Sequence, residues 1–483
     1  MTVGNAALTR SLAIVLVFAG GACDSNALVV RSDAGSKHDG SPNADVAPVS
    51  QPPQTPIDGD GQCPMGYAPC GKGDGLRCYD VSRSQDHCGA CGNACASGIA
   101  CQEGTCQQYR CTGALSFKTL VFGSTGFVYA LGDFDGDGIL DLVGASDYGS
   151  PMSLLYGVGD GTFATGQVIE QVSDWPLPDS GMPLTKSWQA LAADLDGDGL
   201  PDLTSVRTGE FAVNVRLGSG SRKAPFGKPA SYPTNSNVTG VLLADFDTDG
   251  RLDLVAGTSQ GLEYWRGRTG GLFEHQAVLN LSDGSSQGYV YGYGYGVALG
   301  PQAMDWNGDG IVDLVYGFGG TIGGIDIAGG RVHYRLSHGD GTFEPEVVCA
   351  LVAGIIGDLD HDHRPDIISS SSFLGSSLLL GINGCSATKI VPITDWTKDG
   401  AGALADFNGD GNLDVVIDDN QAIMVHVGDG QGGFPHALTF PAPTVNDQWP
   451  IGTFLVGDLN RDGKLDIVFA REGGWGVLLN TCQ

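Results

Sequence analysis

Short apolar runs alternate with polar, glycine-rich segments from about residue 112 onwards, and no helical periodicity accompanies them. In a typical unit one run ends in Ala130-Leu131, a second contains Leu142-Val143, and a third spans Ser153–Gly157. The turn Gly-Asp-Gly-Thr-Phe at 159–163 then leads into a fourth run. Runs of this length, bounded by turn residues, are typical of β-strands. The pattern therefore predicts four strands per unit.

The unit recurs roughly every 50–60 residues, and each copy carries an acidic loop between its first two predicted strands. The first loop reads Asp133-Phe134-Asp135-Gly136-Asp137-Gly138-Ile139-Leu140-Asp141, numbered here as positions 1 to 9. Loops one to seven begin at Asp133, Asp194, Asp245, Asp305, Asp358, Asp406 and Asp458. Seven copies at a near-constant spacing indicate a repeat architecture.

The spacing of the acidic side chains suits a hard cation. Calcium takes about six to eight oxygen ligands, which carboxylates at positions 1, 3, 5 and 9 and the carbonyl of position 7 can supply. An EF-hand loop closes with Glu at position 12, so this class of site is excluded. Loops four, six and seven have Asn at position 3, and loop five has His363 where Gly is expected. The predicted ligands are Asp133, Asp135, Asp137, Ile139, Asp141, Asp194, Asp196, Asp198, Leu200, Asp202, Asp245, Asp247, Asp249, Arg251, Asp253, Asp305, Asn307, Asp309, Ile311, Asp313, Asp358, Asp360, Asp362, Arg364, Asp366, Asp406, Asn408, Asp410, Asn412, Asp414, Asp458, Asn460, Asp462, Lys464 and Asp466.

The charge balance agrees with this interpretation. The formal net charge is −30, and carboxylates crowded within a few ångströms of one another repel unless cations neutralise them. The sequence predicts up to seven structural calcium ions. A calcium sensor needs a helix pair that opens, which the pattern does not provide.

Four strands per unit, seven units and 77 glycines favour an all-β, seven-bladed β-propeller. The chain resembles the FG-GAP/VCBS repeat family, the calcium-loop propellers related to the head of integrin α subunits. The acidic loops and the Gly-Asp-Gly-Thr-Phe turns carry this resemblance over residues 112–483. It implies extracellular binding or adhesion. The strand predicted at Ala114–Val121 would complete the last blade and leave no open edge.

The N-terminal region predicts export. Residues 1–22 have the pattern of a secretory signal peptide, with small residues before Cys23. Cys23 is predicted to be lipidated, as in a bacterial lipoprotein; ordinary signal cleavage and a structural cysteine are the alternatives. Residues 23–62 are rich in Ser, Pro, Asp and Gly and predict a disordered tether. The expected location is the cell envelope or outer surface, or the medium.

Cysteines predict a small disulfide-rich module at 63–106, ahead of the propeller at 107–483. Zinc ligation by Cys88-x-x-Cys91-x-x-x-Cys95 is the alternative for part of this module. Outside it, we expect Cys111 to bond Cys482, because they flank the two strands that meet in blade seven. Cys349 and Cys385 form the remaining candidate pair.

Strand alternation predicts two different rims. The acidic loops and the Gly-Asp-Gly-Thr-Phe turns lie on one rim, whereas insertions at 172–188, 288–300, 317–330 and 442–452 lie on the other. Exposed aromatic residues on loops over a rigid scaffold commonly form binding sites. Packing under long loops is the alternative role. The candidate ligand-contacting residues are Trp175, Trp188, Tyr289, Tyr291, Tyr293, Tyr295, Trp396, Trp449 and Trp475.

The leading hypothesis is a calcium-stabilised cell-surface binding or adhesion module for carbohydrate or a surface protein, and not an enzyme. One alternative is a secreted polysaccharide lyase or hydrolase, for which Asp174, Asp179, Asp395 and Asp447 are unpaired candidates. Another is a structural envelope protein without a small ligand. The acidic balance argues against nucleic acid, which requires a basic patch. Membrane contact is expected only through the N-terminal lipid.

Overall fold

The computed structural model describes short strands before residue 110 and most of the chain from 110 to 482. Within that stretch the undescribed residues are 112–113, 124–125, 147–149, 171–187, 208–209, 259, 281–300, 323–324, 353, 370–375, 394–401, 419–421, 442–452 and 472–473. The predicted signal peptide, the lipidated Cys23 and nearly all of the tether lie outside the described residues. So do the side chains of the predicted cysteine-rich module.

Ahead of residue 110 the described part forms two small sheets. A three-stranded sheet has the order β1-β3-β2, and a hairpin pairs β4 with β5. These strands are β1 (Gln54–Thr55), β2 (Ala68–Cys70), β3 (Arg77–Tyr79), β4 (Ile99–Gln102) and β5 (Thr105–Gln108). The described part of the chain holds no helix of the length and apolar character that a membrane crossing requires.

Seven four-stranded antiparallel sheets then follow, and the all-β, seven-bladed prediction is confirmed. The next strand along the chain is β6 (Phe117–Gly123). Blade one contains β7 (Phe127–Gly132), β8 (Asp141–Ala145), β9 (Met152–Gly157) and β10 (Phe163–Glu170). Blade two contains β11 (Trp188–Ala193), β12 (Asp202–Arg207), β13 (Ala212–Arg216) and β14 (Ala230–Pro233). Blade three contains β15 (Val238–Ala244), β16 (Asp253–Thr258), β17 (Gly261–Arg268) and β18 (Leu272–Asn280).

The remaining blades repeat this plan. Blade four contains β19 (Gln302–Met304), β20 (Asp313–Ile322), β21 (Ile325–Arg335) and β22 (Val347–Val352). Blade five contains β23 (Ile355–Gly357), β24 (Asp366–Ser369), β25 (Ser376–Asn383) and β26 (Ser386–Ile393). Blade six contains β27 (Gly402–Ala405), β28 (Asp414–Asp418), β29 (Ala422–Val427) and β30 (His436–Pro441). Blade seven contains β31 (Thr453–Gly457), β32 (Asp466–Arg471) and β33 (Gly474–Asn480).

The fourth strand of blade seven is β6, from the N-terminal side of the ring. It pairs antiparallel with β33, with Phe117 opposite Asn480 and Leu120 opposite Val477. The prediction that an N-terminal strand completes the last blade is confirmed, with the strand placed at Phe117–Gly123. Next to this pairing, Cys111 is bonded to Cys482 with a Cα–Cα distance of 5.8 Å.

Seven apolar clusters form the core, and each lies between two consecutive blades. One joins blade one to blade two through Phe134, Leu154 and Leu203. Another joins blade seven to blade one through Val468 and Leu142, so the ring is closed by packing as well as by β6. The other five clusters fill the five remaining interfaces. Apolar burial between blades, at about 25 cal/mol per Å², is therefore what holds the ring together.

Each blade runs outwards from the centre of the ring, with its first strand innermost. The innermost strands contact one another around the axis, as β7 contacts both β11 and β31. Because the strands are antiparallel, connections between strands one and two and between three and four lie on one rim, named the calcium rim after the ion that the sequence predicts for its loops. Connections between strands two and three, and between blades, lie on the opposite rim.

One insertion is more regular than the sequence indicates. Residues 317–330 are predicted as a loop on the opposite rim, whereas the described residues 317–322 and 325–330 continue the two central strands of blade four. Thr321 pairs with Asp326, and Ile322 pairs with Ile325. The β20–β21 hairpin therefore extends towards the opposite rim as a two-stranded arm.

Candidate functional site

The acidic loops are shaped by their own carboxylates. In loop one, Asp133 at position 1 accepts hydrogen bonds from the backbone N–H groups of Asp137 (2.9 Å) and Gly138 (2.7 Å). The same pair of bonds, from positions 5 and 6, recurs in loops two, three, four, six and seven. The carboxylate at position 1 therefore winds the loop into a tight turn.

Position 9 acts as a clamp between the loop and the blade. Asp141 Oδ2 accepts the N–H of Phe134 at 3.0 Å, and its Oδ1 accepts the N–H of Gly157, in the third strand, at 2.9 Å. All seven position-9 aspartates make both bonds and are almost completely buried. The sequence predicts only metal ligation at position 9. The clamp is missed because the third-strand donor follows it by more than a dozen residues.

Position 2 anchors each loop in the core. Phe134, Leu195, Phe246, Trp306, Leu359, Phe407 and Leu459 are buried. Each belongs to the cluster between its own blade and the next. The aromatic residue of the next blade's turn often completes the contact: the ring centroids of Phe246 and Phe343 are 5.3 Å apart. The geometry of an acidic loop is thus tied to the interface between blades.

The loops bring acidic oxygens close enough for one cation. In the four loops with Asp at position 3, oxygen atoms from positions 1, 3 and 9 lie within 4.8 Å of one another. These groups are Asp133, Asp135 and Asp141; Asp194, Asp196 and Asp202; Asp245, Asp247 and Asp253; and Asp358, Asp360 and Asp366. Such an all-oxygen set fits the preference of calcium.

Loop five offers a further test of this fit. Asp358 Oδ1 is buried and has no hydrogen-bond partner, because the N–H of Asp362 is directed to Asp360 instead. An unpaired buried carboxylate oxygen is costly unless a cation contacts it. The residues present therefore fit a calcium ion. A bound calcium ion would give this unpaired carboxylate oxygen a positively charged partner.

Burial also sets the ionisation of the clamps. Removal from water disfavours the charged carboxylate and raises its pKa. Burial raises the pKa of Asp141 and Asp466 to about 8, of Asp202, Asp253 and Asp366 to about 7, and of Asp313 to about 6. Neighbouring loop carboxylates raise these pKa values further. A cation in the loop would have the opposite effect.

Position 4 has a left-handed backbone in every loop. Loops one, two, four and six use Gly there, whereas Thr248, His361 and Arg461 occupy it in loops three, five and seven, with φ between 57° and 61°. Each of these three reaches the next blade. Thr248 Oγ1 donates to Gly339 O at 3.2 Å, and His361 Nε2 lies 3.0 Å from Asn412 Oδ1. The contact of Arg461 joins loop seven to loop one: its Nε donates to Gly138 O at 2.6 Å.

The aromatic residues predicted for the opposite rim divide into two groups. Trp175, the four tyrosines from Tyr289 to Tyr295, Trp396 and Trp449 lie outside the described residues, as do Asp174, Asp179, Asp395 and Asp447. Trp188 and Trp475 are described, and neither is a free surface residue.

The prediction for Trp188 is wrong. Its side chain is 3% exposed and belongs to the core between blades one and two. Its Nε1 donates to Ser150 O at 3.1 Å, and the guanidinium of Arg207 lies 5.6 Å from its ring centroid. The tryptophan is the first residue of β11. Its side chain packs in the interface between blades and does not belong to the preceding insertion. Trp475 is half-buried and packs against Phe163.

The described opposite rim has one exposed aromatic residue that the sequence analysis missed. Phe211 is 59% exposed and lies between β12 and β13. It is held there by its backbone, because Phe211 O accepts the N–H of Thr234 at 2.9 Å. An isolated Phe beside a short strand gives no pattern by which it could be recognised in the sequence.

Both disulfide bonds of the described region lie at junctions. The Cys111–Cys482 bond accompanies the closing strand. Cys349, in β22, is bonded to Cys385, in the turn between β25 and β26, with a Cα–Cα distance of 4.9 Å. The second bond therefore links the outer edges of blades four and five.

The chain is similar to solved structures. A lectin from Agrocybe aegerita that recognises non-reducing terminal N-acetylglucosamine is 21% identical to the chain, over 76% of this chain and 94% of its own, with a TM-score of 0.50. The V. cholerae biofilm matrix protein Bap1 is 14% identical, over 76% of this chain and 91% of its own, with a TM-score of 0.34. The search of curated proteins found no match.

The sequence itself matches a family of repeats. Matches to the FG-GAP-like repeat cover residues 133–205, 194–256, 245–316 and 386–469, which together are more than half of the 483 residues. They include the acidic loops of blades one to four, six and seven. The chain belongs to the FG-GAP-like repeat family.

Proposed function

We propose that the chain is a calcium-stabilised binding module of the cell surface that recognises a carbohydrate through the rim opposite the acidic loops. The observation that carries this proposal is the separation of the two rims. All seven acidic loops lie on the calcium rim, and the long connections between blades start and end on the other. When the acidic loops stabilise the scaffold at one rim, the connections at the other rim can vary in length and sequence. Recognition loops are commonly arranged in this way on a rigid scaffold.

The connections between blades differ greatly in length. Those at 171–187, 281–301 and 442–452 are long, whereas 234–237 and 353–354 are short. The long ones contain Trp175, Trp449 and the alternating tyrosines from Tyr289 to Tyr295. Aromatic side chains combine large contact area with a polar edge, and binding surfaces are enriched in them. Their flat faces suit the apolar faces of sugars.

The lectin of the same fold supports a sugar as the first ligand class to test. At 21% identity it transfers no binding residue, and only its architecture is common. A surface protein is the other ligand that an aromatic rim would fit. A catalytic role would need a paired acid and base on the rim.

Export and surface attachment are part of the proposal. Disulfide bonds form in oxidising compartments, and the described region contains two of them. The apolar segment before Cys23 supports a signal peptide, with Cys23 as the lipid attachment site. A lipid at Cys23 would place a binding module at the envelope, at the end of the flexible segment predicted at 23–62.

The test is a glycan and polysaccharide array with the whole exported chain, in calcium and again in chelator. We expect binding in calcium that is lost in Trp449→Ala and weakened in Phe211→Ala, since both changes remove an aromatic face from the opposite rim. Leu272→Ala is the matched control, because Leu272 is 54% exposed but begins β18 at the calcium rim. It should bind as the unmodified chain does.

Two results would contradict the proposal. Binding that survives both rim substitutions but fails in Leu272→Ala would place the site on the wrong face. An array without any binding would remove the carbohydrate and leave the surface-protein alternative, to be tested by capture of whole cells with the same variants.

A further inference from the structure

Loop three differs from the other loops because a cation of the chain itself lies in it. Arg266, in the third strand of blade three, extends along the loop of its own blade. Its Nε forms an ion pair with Asp247 at position 3, and its Nη2 lies 3.5 Å from Oδ2 of Asp249 at position 5. The Asp247 side chain is completely buried, and that of Asp249 is 16% exposed. The guanidinium therefore contacts two of the four carboxylates that a calcium ion in loop three would use.

The position of Arg266 can be compared across all blades. The backbone N–H of the following residue, Gly267, donates to the position-9 clamp Asp253 at 2.7 Å. The same hydrogen bond identifies one equivalent residue in every other blade. These equivalents are Tyr156, Leu217, Leu336, Leu380, Val427 and Leu479. Blade three thus has a cation where the others have an uncharged side chain.

A second guanidinium adds another positive charge to loop three. Arg251, at position 7 of the same loop, places Nη2 at 2.7 Å from Oδ2 of Asp249. The remaining oxygens of both carboxylates are used by the loop itself, because Oδ1 of Asp247 and of Asp249 each accept a backbone N–H. The two guanidinium groups together supply the two positive charges that one calcium ion would bring.

Basic residues near other described loops are arranged differently. Arg222 comes from the neighbouring blade, is 56% exposed, and has Nε 3.6 Å from one carboxylate of loop one, Asp135. Lys464 Nζ lies 3.3 Å from Asp462 in loop seven, again a single carboxylate. Each of these ion pairs involves one carboxylate, and the guanidinium of Arg222 also lies 4.3 Å from the centroid of the Tyr156 ring. Arg266, by contrast, bridges positions 3 and 5.

We propose that Arg266 takes the place of calcium in loop three, so that this loop stays metal-free at calcium concentrations that fill the other loops. The inference rests on the proposed calcium scaffold and lowers the number of loops that are expected to hold calcium. Calcium affinity depends on the charge and rigidity of the oxygen set, and an arginine already paired with two of the oxygens lowers the charge available. Binding there would require the guanidinium to leave a buried carboxylate.

The test is the number of calcium ions per chain, measured by metal analysis after equilibrium dialysis and by calorimetric titration. Arg266→Leu introduces the residue found at the equivalent position of four other blades, and it should bind one ion more than the unmodified chain. Arg268→Leu is the control. Arg268 lies two residues further along β17 and pairs with the exposed Glu274, so its loss should leave the number unchanged.

A second pair of variants does not depend on how Arg266→Leu folds. Asp249→Asn removes the position-5 carboxylate of loop three and should leave the number of bound ions unchanged. Asp198→Asn makes the same change in loop two and should lose one ion. An unchanged number in Arg266→Leu, or a lost ion in Asp249→Asn, would overturn the proposal. A chain that binds no calcium at all would instead overturn the calcium scaffold, and this inference with it.

Discussion

The two rims of the propeller are built on different principles. On the calcium rim, each of seven loops repeats the two hydrogen bonds of the position-9 clamp and the same buried anchor. Thr248, His361 and Arg461 tie their loops to the next blade. On the opposite rim the connections between blades range from two residues at 353–354 to 21 residues at 281–301. Repetition on one side fixes the ring, so variation on the other costs little stability. The comparison places the repeated stabilising contacts on one rim and the variable connections, which carry the proposed recognition, on the other.

Calcium removal should give the largest effect, because it acts on the calcium rim at many points at once. A ligand at a hundredfold excess over its Kd stabilises the folded state by about 2.7 kcal/mol per site. Chelation should therefore lower the melting temperature further than any single substitution does. The measurement is thermal unfolding in calcium and in EDTA, with magnesium as the control ion. An equal melting temperature in both would show that the loops do not hold calcium.

In chelator, pH should have the next largest effect. Six of the seven clamps have folded-state pKa values of about 6 to 8, above the 3.8 of an exposed aspartate, and burial also raises the pKa of the seventh, Asp414. A raised folded-state pKa gives stability that is complete below the unfolded pKa and is lost as pH rises through the folded pKa. The melting temperature of the metal-free chain should therefore fall between pH 5 and 8.5.

The same titration in excess calcium should show a weaker fall or none, because the metal binds the charged carboxylates. A metal-free chain whose melting temperature is constant or rises over this range would contradict the assignment of the clamps.

Two phenylalanines, one for each rim, separate stability from recognition. Phe246 is buried in the core behind loop three, and truncation of such a residue costs about 3–5 kcal/mol. Phe211 is exposed on the opposite rim, where substitutions usually change stability by no more than about 0.5 kcal/mol. Urea unfolding of Phe246→Ala and Phe211→Ala should show this difference. Equal losses of stability would mean that the rims do not divide the two tasks.

The smallest effect concerns the contact between loops seven and one. Arg461→Ala removes the hydrogen bonds to loop one while the backbone stays left-handed, and we expect a loss of about 1 kcal/mol in the free energy of unfolding. Arg461→Gly removes the same bonds but relieves a conformation that costs a non-glycine residue about 1–2 kcal/mol. It should be nearly as stable as the unmodified chain. Urea unfolding in calcium distinguishes them, and an Arg461→Ala variant of full stability would show that the contact is dispensable.

Regular spacing explains what could be read from the sequence. The Asp-rich loops contain their positions within nine residues, so their number, their period and the seven-bladed ring follow from the chain itself. Contacts between residues that are distant in sequence could not be predicted from the sequence. Asp141 finds Gly157 only once the third strand is in place, and Arg461 finds Gly138 only when the ring closes. Trp188 was misassigned because its neighbours in sequence belong to an insertion, whereas its neighbours in space belong to the core.

The closing strand has a consequence for biosynthesis. β6 precedes every other strand of the ring along the chain, yet its partner β33 comes last. A ribosome makes these two edges at opposite ends of the process, so β6 has to wait unpaired while six complete blades are made. Pairings between such distant segments are slow to form, and a waiting edge can bind other chains. We therefore expect the ring to mature only after β33 has been made, with the closing of blade seven as its last step.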